Sequence, residues 1–85
     1  MPYMPQERSL AYAMCAFFAR CEDECLTSSD VAVKFGRHPG SGDILTRAIE
    51  AGYVRHEHGG PGKQDKPAMY YAGPKIAIFA REAGI

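Results

Sequence analysis

At 85 residues the chain holds one domain with one core, and a chain of this size buries only roughly 60 to 65% of its unfolded surface, so self-association would add to a modest stability. Its 46% hydrophobic content is ordinary for a globular domain. No stretch approaches the roughly 20 apolar residues of a membrane helix, and the start Met1-Pro2-Tyr3-Met4-Pro5 lacks the basic patch and apolar run of a secretory signal; both point to the cytoplasm. Ten Lys plus Arg balance ten Asp plus Glu, which is not the strongly basic composition of a protein that lives on phosphate.

In chain order, Leu10, Ala13, Met14, Phe17, Phe18 and Cys21 recur at three and four residues, the apolar stripe of an amphipathic helix expected over 6–21. The acidic run Glu22-Asp23-Glu24 ends it. Thr27 and Asp30 have the spacing of a capping box, so a second helix is expected over 28–35, with Val31, Ala32 and Phe35 inward and Gly36 closing it in the left-handed conformation. A cluster of turn residues, Gly36 to Gly42, precedes a third helix expected over 42–51, capped by Ser41 or Gly42 and stopped by Gly52. Leu45, Ala48 and Ile49 are assigned to its inward side, which leaves Thr46 or Glu50, and Arg47, outside.

Tyr53 to His58 and Ala68 to Ala72 are rich in aromatic and β-branched residues and read as two strands of a hairpin spanning 53–72. The Gly- and Pro-rich segment from Gly59 to Pro67 forms its long tip, which should project into solvent. Gly73-Pro74 punctuates again, and a last helix is expected over 75–83 with Ile76, Phe79 and Ala80 on one face. Charge is unevenly spread. Residues 1–33 carry two basic and five acidic groups, whereas 34–66 carry six basic and four acidic, so a positive face can exist if the acids lie opposite it.

Helix, short helix, turn, helix, then a hairpin with a basic tip is an order that resembles the winged helix-turn-helix superfamily of bacterial and phage regulators. Glu50-Ala51-Gly52-Tyr53-Val54, following Leu45, is similar to that superfamily's junction between recognition helix and wing, and Leu26 to Ala32 is similar to the start of its second helix. The resemblance covers residues 8–72. It departs from the pattern at Ala48, where a Leu is usual. What it implies is an α+β, mainly α fold over 1–85: a three-helix bundle, a two-stranded wing and a C-terminal helix.

The resemblance further implies a small DNA-binding transcriptional regulator without a cofactor, its third helix in the major groove of double-stranded DNA and its wing on the backbone. Arg37 and His38 would lie in the turn, Ser41 would donate to a phosphate at the helix N-terminus, and Thr46 and Arg47 would face the groove. Lys63, Gln64 and Lys66 would occupy the wing tip. Arg47 suits bidentate contact with guanine, and the lysines suit salt-sensitive phosphate contacts. The residues themselves leave other roles open: Arg47 solvated or paired with Asp43, and Lys63 and Lys66 keeping a loop soluble.

Cys15, Cys21, Cys25, His38, His56 and His58 invite a metal site, but Cys15 and Cys21 belong to a helix stripe and among the cysteines only Cys21 and Cys25 are four apart, so buried thiols are the preferred reading and no metal is assigned. Cys25 sits among acids that would dull its reactivity. His56 and His58 alternate with Arg55 and Glu57 and are expected at the surface of the first wing strand. No glycine-rich phosphate cradle, nucleophile motif or facing pair of carboxylates is present, which argues against an enzyme. The rival reading is a protein-interaction or dimerisation module of the same fold, favoured by the zero net charge. It uses surplus aromatic residues such as Tyr3 and Tyr12 as an exposed patch, and the C-terminal helix is the candidate homodimer contact.

Overall fold

Ser9 sets where the chain first becomes helical. In the computed structural model, which describes residues 3–37, 45–57 and 69–85, the Ser9 hydroxyl accepts from the Tyr12 amide at 3.1 Å and donates to the Gln6 carbonyl at 2.7 Å. That cap satisfies an N-terminal amide and starts α1 at Leu10, so α1 runs Leu10–Arg20 rather than over the expected 6–21. Its buried line is Leu10, Ala11, Met14, Cys15 and Phe18, while Ala13 and Phe17 are half-buried and Cys21 is exposed. The apolar stripe is therefore wider than the side that meets the core.

After the acidic turn comes a strand that the sequence reading lacks, β1 (Cys25–Thr27). It is three residues long and runs directly into α2 (Ser28–Phe35). Thr27 accepts from the Asp30 amide at 3.0 Å while the Asp30 carboxylate accepts from the Thr27 amide at 3.1 Å, the reciprocal pair of a capping box. Gly36 closes α2 at φ 73°, with its amide on the Ala32 carbonyl.

Leu45 precedes α3 (Thr46–Glu50), β2 (Val54–Glu57) follows, then β3 (Met69–Ala72) and α4 (Ile76–Ala83). The expected third helix of 42–51 is thus five residues within the described segment, and 42–44 lie outside it. Gly52, at φ 84°, ends α3: its amide reaches the Ile49 carbonyl and the Tyr53 amide reaches Ala48, a Schellman closure.

The sheet has three strands, not the two of a simple hairpin, in the order β1-β3-β2 and antiparallel throughout. The register pairs Leu26 and His56 with Tyr70 and Val54 with Ala72, which puts these side chains on one face toward the helices. Cys25, Arg55 and Tyr71 share the other face. His56 stacks on Tyr70 with ring centroids 4.4 Å apart and is half-buried, so the surface position expected for it is not the one it takes.

One core joins all the helices to the sheet: Met14, Cys15 and Phe18 of α1, Val31, Leu45, Ala48, Tyr53, Val54, Tyr70, Ile76 and Phe79. Each large side chain removed from water here contributes about 1.5 to 3 kcal/mol. The end of β3 is fastened to the turn after α3, because the Gly73 amide donates to the Tyr53 carbonyl and the Lys75 amide to the Gly52 carbonyl, both at 2.8 Å. Among the described residues no helix is long and apolar enough to cross a membrane.

Candidate nucleic-acid interface

α3 is held by two small anchors. Leu45 and Ala48 are buried, while Thr46, Arg47 and Glu50 are exposed. Ile49, assigned by spacing to the inward side, is 36% exposed, because a five-residue helix seated on Leu45 and Ala48 does not turn its remaining residues inward. The outward surface of α3 is consequently Thr46, Arg47, Ile49 and Glu50. Glu50 stands three residues from Arg47 and four from Thr46, on the same side of the helix. DNA binding calls for Arg37, Arg47 and the wing lysines to converge on one face uninterrupted by Glu50 or Glu57; Glu50 stands exposed beside Arg47, which counts against that reading.

The N-terminal segment meets α3 at Arg47. The Tyr53 hydroxyl donates to the Tyr3 carbonyl at 2.6 Å, and the two rings stack with centroids 6.2 Å apart. The Arg47 guanidinium lies 6.0 Å from the Tyr3 ring centroid, above a hollow of about 390 Å³ lined by Tyr3, Met4, Pro5, Gln6, Ser9 and Ala11. A planar guanidinium over a ring keeps its N–H edges available for an acceptor, so this contact orients Arg47 without consuming its donors. Burial raises the Tyr3 phenol pKa, the neighbouring Cys15 adds to the rise, and Arg47 pulls the other way. Sequence reading places Tyr3 in an exposed aromatic patch; in the structure it is half-buried and tied to Tyr53 and Arg47.

Arg37 follows the Gly36 cap directly and is exposed. On the outer face of the sheet, Arg55 lies 4.9 Å from the Tyr71 ring centroid, and the Tyr71 hydroxyl donates to Glu57 at 3.3 Å. Burial and then the Glu57 carboxylate raise the Tyr71 pKa. Of the sequence-derived site, the structure thus describes Arg37, Thr46 and Arg47, all exposed. His38, Ser41, Lys63, Gln64 and Lys66 lie outside the described residues.

The cysteines divide differently from the expectation. Cys15 is buried, and burial pushes its thiol up to about 12, but Cys21 and Cys25 are exposed on either side of the Glu22-Asp23-Glu24 turn. Burial also raises the Tyr53 phenol, with Cys15, Glu82 and Tyr3 adding to it. Among the described residues no three His, Cys, Asp or Glu side chains converge on a point that could hold a metal ion. No family model, curated protein or solved structure matches this chain.

Proposed function

We propose that the chain is a winged helix-turn-helix domain, a binding protein rather than an enzyme, and that its ligand is double-stranded DNA. The observation that carries this reading is the element order α1-β1-α2-α3-β2-β3 together with the sheet order β1-β3-β2. That arrangement sets the short helix α3, its outer side open, beside the antiparallel pair β2–β3, and the reading assigns Lys63 and Lys66 of the segment between those strands to the DNA backbone. Arg47, set over Tyr3, reads base edges; Thr46 and Arg37 contact the backbone, joined by His38 and Ser41 from the turn and Gln64 from the wing.

Glu50 and the zero net charge support a second reading, in which the same surface docks a protein. In the DNA reading Glu50 repels phosphate and accepts from a cytosine amino group, trading affinity for selectivity.

Fluorescence anisotropy with a random-sequence duplex separates the two. DNA binding predicts an affinity that falls with salt and is weakened when Arg47, Lys63 and Lys66 are all replaced by Ala, with a salt slope smaller by roughly two to three. Absence of binding even at low salt would move the assignment to the protein-docking module.

A further inference from the structure

The segment ahead of α1 is packed down: Pro5 is buried, and Tyr3 and Met4 are half-buried against the core. A row of rings leads from the core to Tyr3. Phe79 and Tyr53 are fully buried with centroids 5.7 Å apart, and Tyr53 in turn stacks on Tyr3. Tyr53 is placed by the turn that closes α3, where its amide donates to the carbonyl of Ala48, the neighbour of Arg47. Arg47 and Tyr53 thus come from one junction, and Tyr3 is brought to both from the far end of the chain by the Tyr53 hydroxyl and the stack.

The described residues that line the hollow by Arg47 include no acid, so the guanidinium meets no counter-charge in those walls and lies over the Tyr3 ring instead. This placement matters more for a base than for a phosphate. Bidentate contact with guanine fixes both the plane and the direction of the guanidinium, whereas a phosphate accepts from many directions. A long side chain loses rotamer freedom when it binds, which weakens the contact by a factor of about two to ten. A guanidinium already set over a ring has given up part of that freedom beforehand.

We propose that Tyr3 is a positioning residue for base readout: its ring holds Arg47 ready for a guanine, so that selectivity at one base pair depends on a residue acting through Arg47. The proposal rests on the DNA reading of α3, and it adds that the preferred duplex carries a guanine at the Arg47 contact.

Selection of bound sequences from a randomised duplex pool by the full chain, followed by anisotropy on the selected duplex, its single-base changes and a random duplex, tests it. Wild type should prefer guanine at one position by about tenfold or more, and Arg47→Ala should abolish that preference. Tyr3→Leu should reduce it by about threefold to tenfold while leaving the random-duplex affinity and its salt slope unchanged. Tyr3→Phe keeps the ring and the backbone carbonyl, and should behave as wild type. Added to Arg47→Ala, Tyr3→Leu should cost no further selectivity. Tyr53→Phe, which cuts the tie to the Tyr3 carbonyl and keeps both rings, should give a smaller loss in the same direction, and decides the matter if circular dichroism shows Tyr3→Leu unfolded. Selectivity unchanged in Tyr3→Leu, or random and selected duplex weakened alike, overturns the proposal and leaves the DNA reading standing. A wild type that binds no duplex at low salt overturns both.

Discussion

Gly73→Ala attacks the fastening between β3 and the turn after α3. A Cβ at Gly73 would overlap the Gly52 carbonyl oxygen and lie 2.7 Å from the carbonyl carbons of Gly52 and Tyr53. All three atoms are backbone, so no side chain can swing aside, and relief requires separating β3 from the turn. That separation breaks the hydrogen bonds from Gly73 to Tyr53 and from Lys75 to Gly52, both 2.8 Å long. Each carries about 1 kcal/mol net and more where a buried group is left unpaired, and the shift loosens Val54 and Phe79, so the sum is about 3 to 4 kcal/mol. A domain of this size has a total of roughly 4 to 13 kcal/mol. Urea titration followed by circular dichroism should show the midpoint move down, with thermal unfolding lowered by roughly 12 to 30 °C. A change within about 0.5 kcal/mol of wild type would refute the packing described at this junction.

Tyr53→Phe keeps the ring in the core but removes the donor to the Tyr3 carbonyl, so it should cost about 1 kcal/mol in urea denaturation and make the bond after Tyr3 easier to cut by chymotrypsin. Cys15 should resist a thiol reagent at pH 8 in the folded protein while Cys21 and Cys25 react, so that two thiols are counted before denaturation and three after. Because folding raises the Cys15 thiol from 9.0 to about 12, the stabilisation is fully present below pH 9. It declines by up to about 1.4 kcal/mol per pH unit above that until the folded thiol ionises, which a urea series from pH 7 to 11 and its Cys15→Ser counterpart should reveal. Glu50→Gln should tighten binding to random duplex several-fold at low salt, measured by anisotropy, since it removes the acid from the outward side of α3.

Features set by a few neighbouring residues were legible. The Thr27–Asp30 cap and the Gly36 and Gly52 stops depend only on side-chain chemistry within one helical turn. β1 was not, because three residues are too short to show alternation and its partner Tyr71 lies far along the chain from Cys25. The early start assigned to α1 followed the end of the Pro-bounded leader at Pro5, whereas the apolar stripe begins only at Leu10 and the Ser9 hydroxyl caps the helix there. Ile49 was turned inward by spacing that assumes a full-length helix, and His56 was assigned a face whose neighbour, Tyr70, is fixed only by strand register.

At the candidate site the charged residue types were readable, but their settings were not. Nothing in the sequence ties Arg47 to Tyr3, since that contact depends on a Tyr53 hydroxyl bond bridging 50 positions. Likewise the burial of Cys15 follows from how α1 is rotated on the core, and the exposure of Cys25 from a register that sets it opposite Tyr71 on the outer face of the sheet.

The most direct test of DNA recognition is an amide chemical-shift titration of the ¹⁵N-labelled chain with a short random duplex at low salt. The account predicts fast-exchange shifts concentrated at 37–50 and 57–69, with the part of α1 around Ala16 and Phe17 unmoved. Shifts confined to that part of α1, or none at a severalfold excess of duplex, would contradict it.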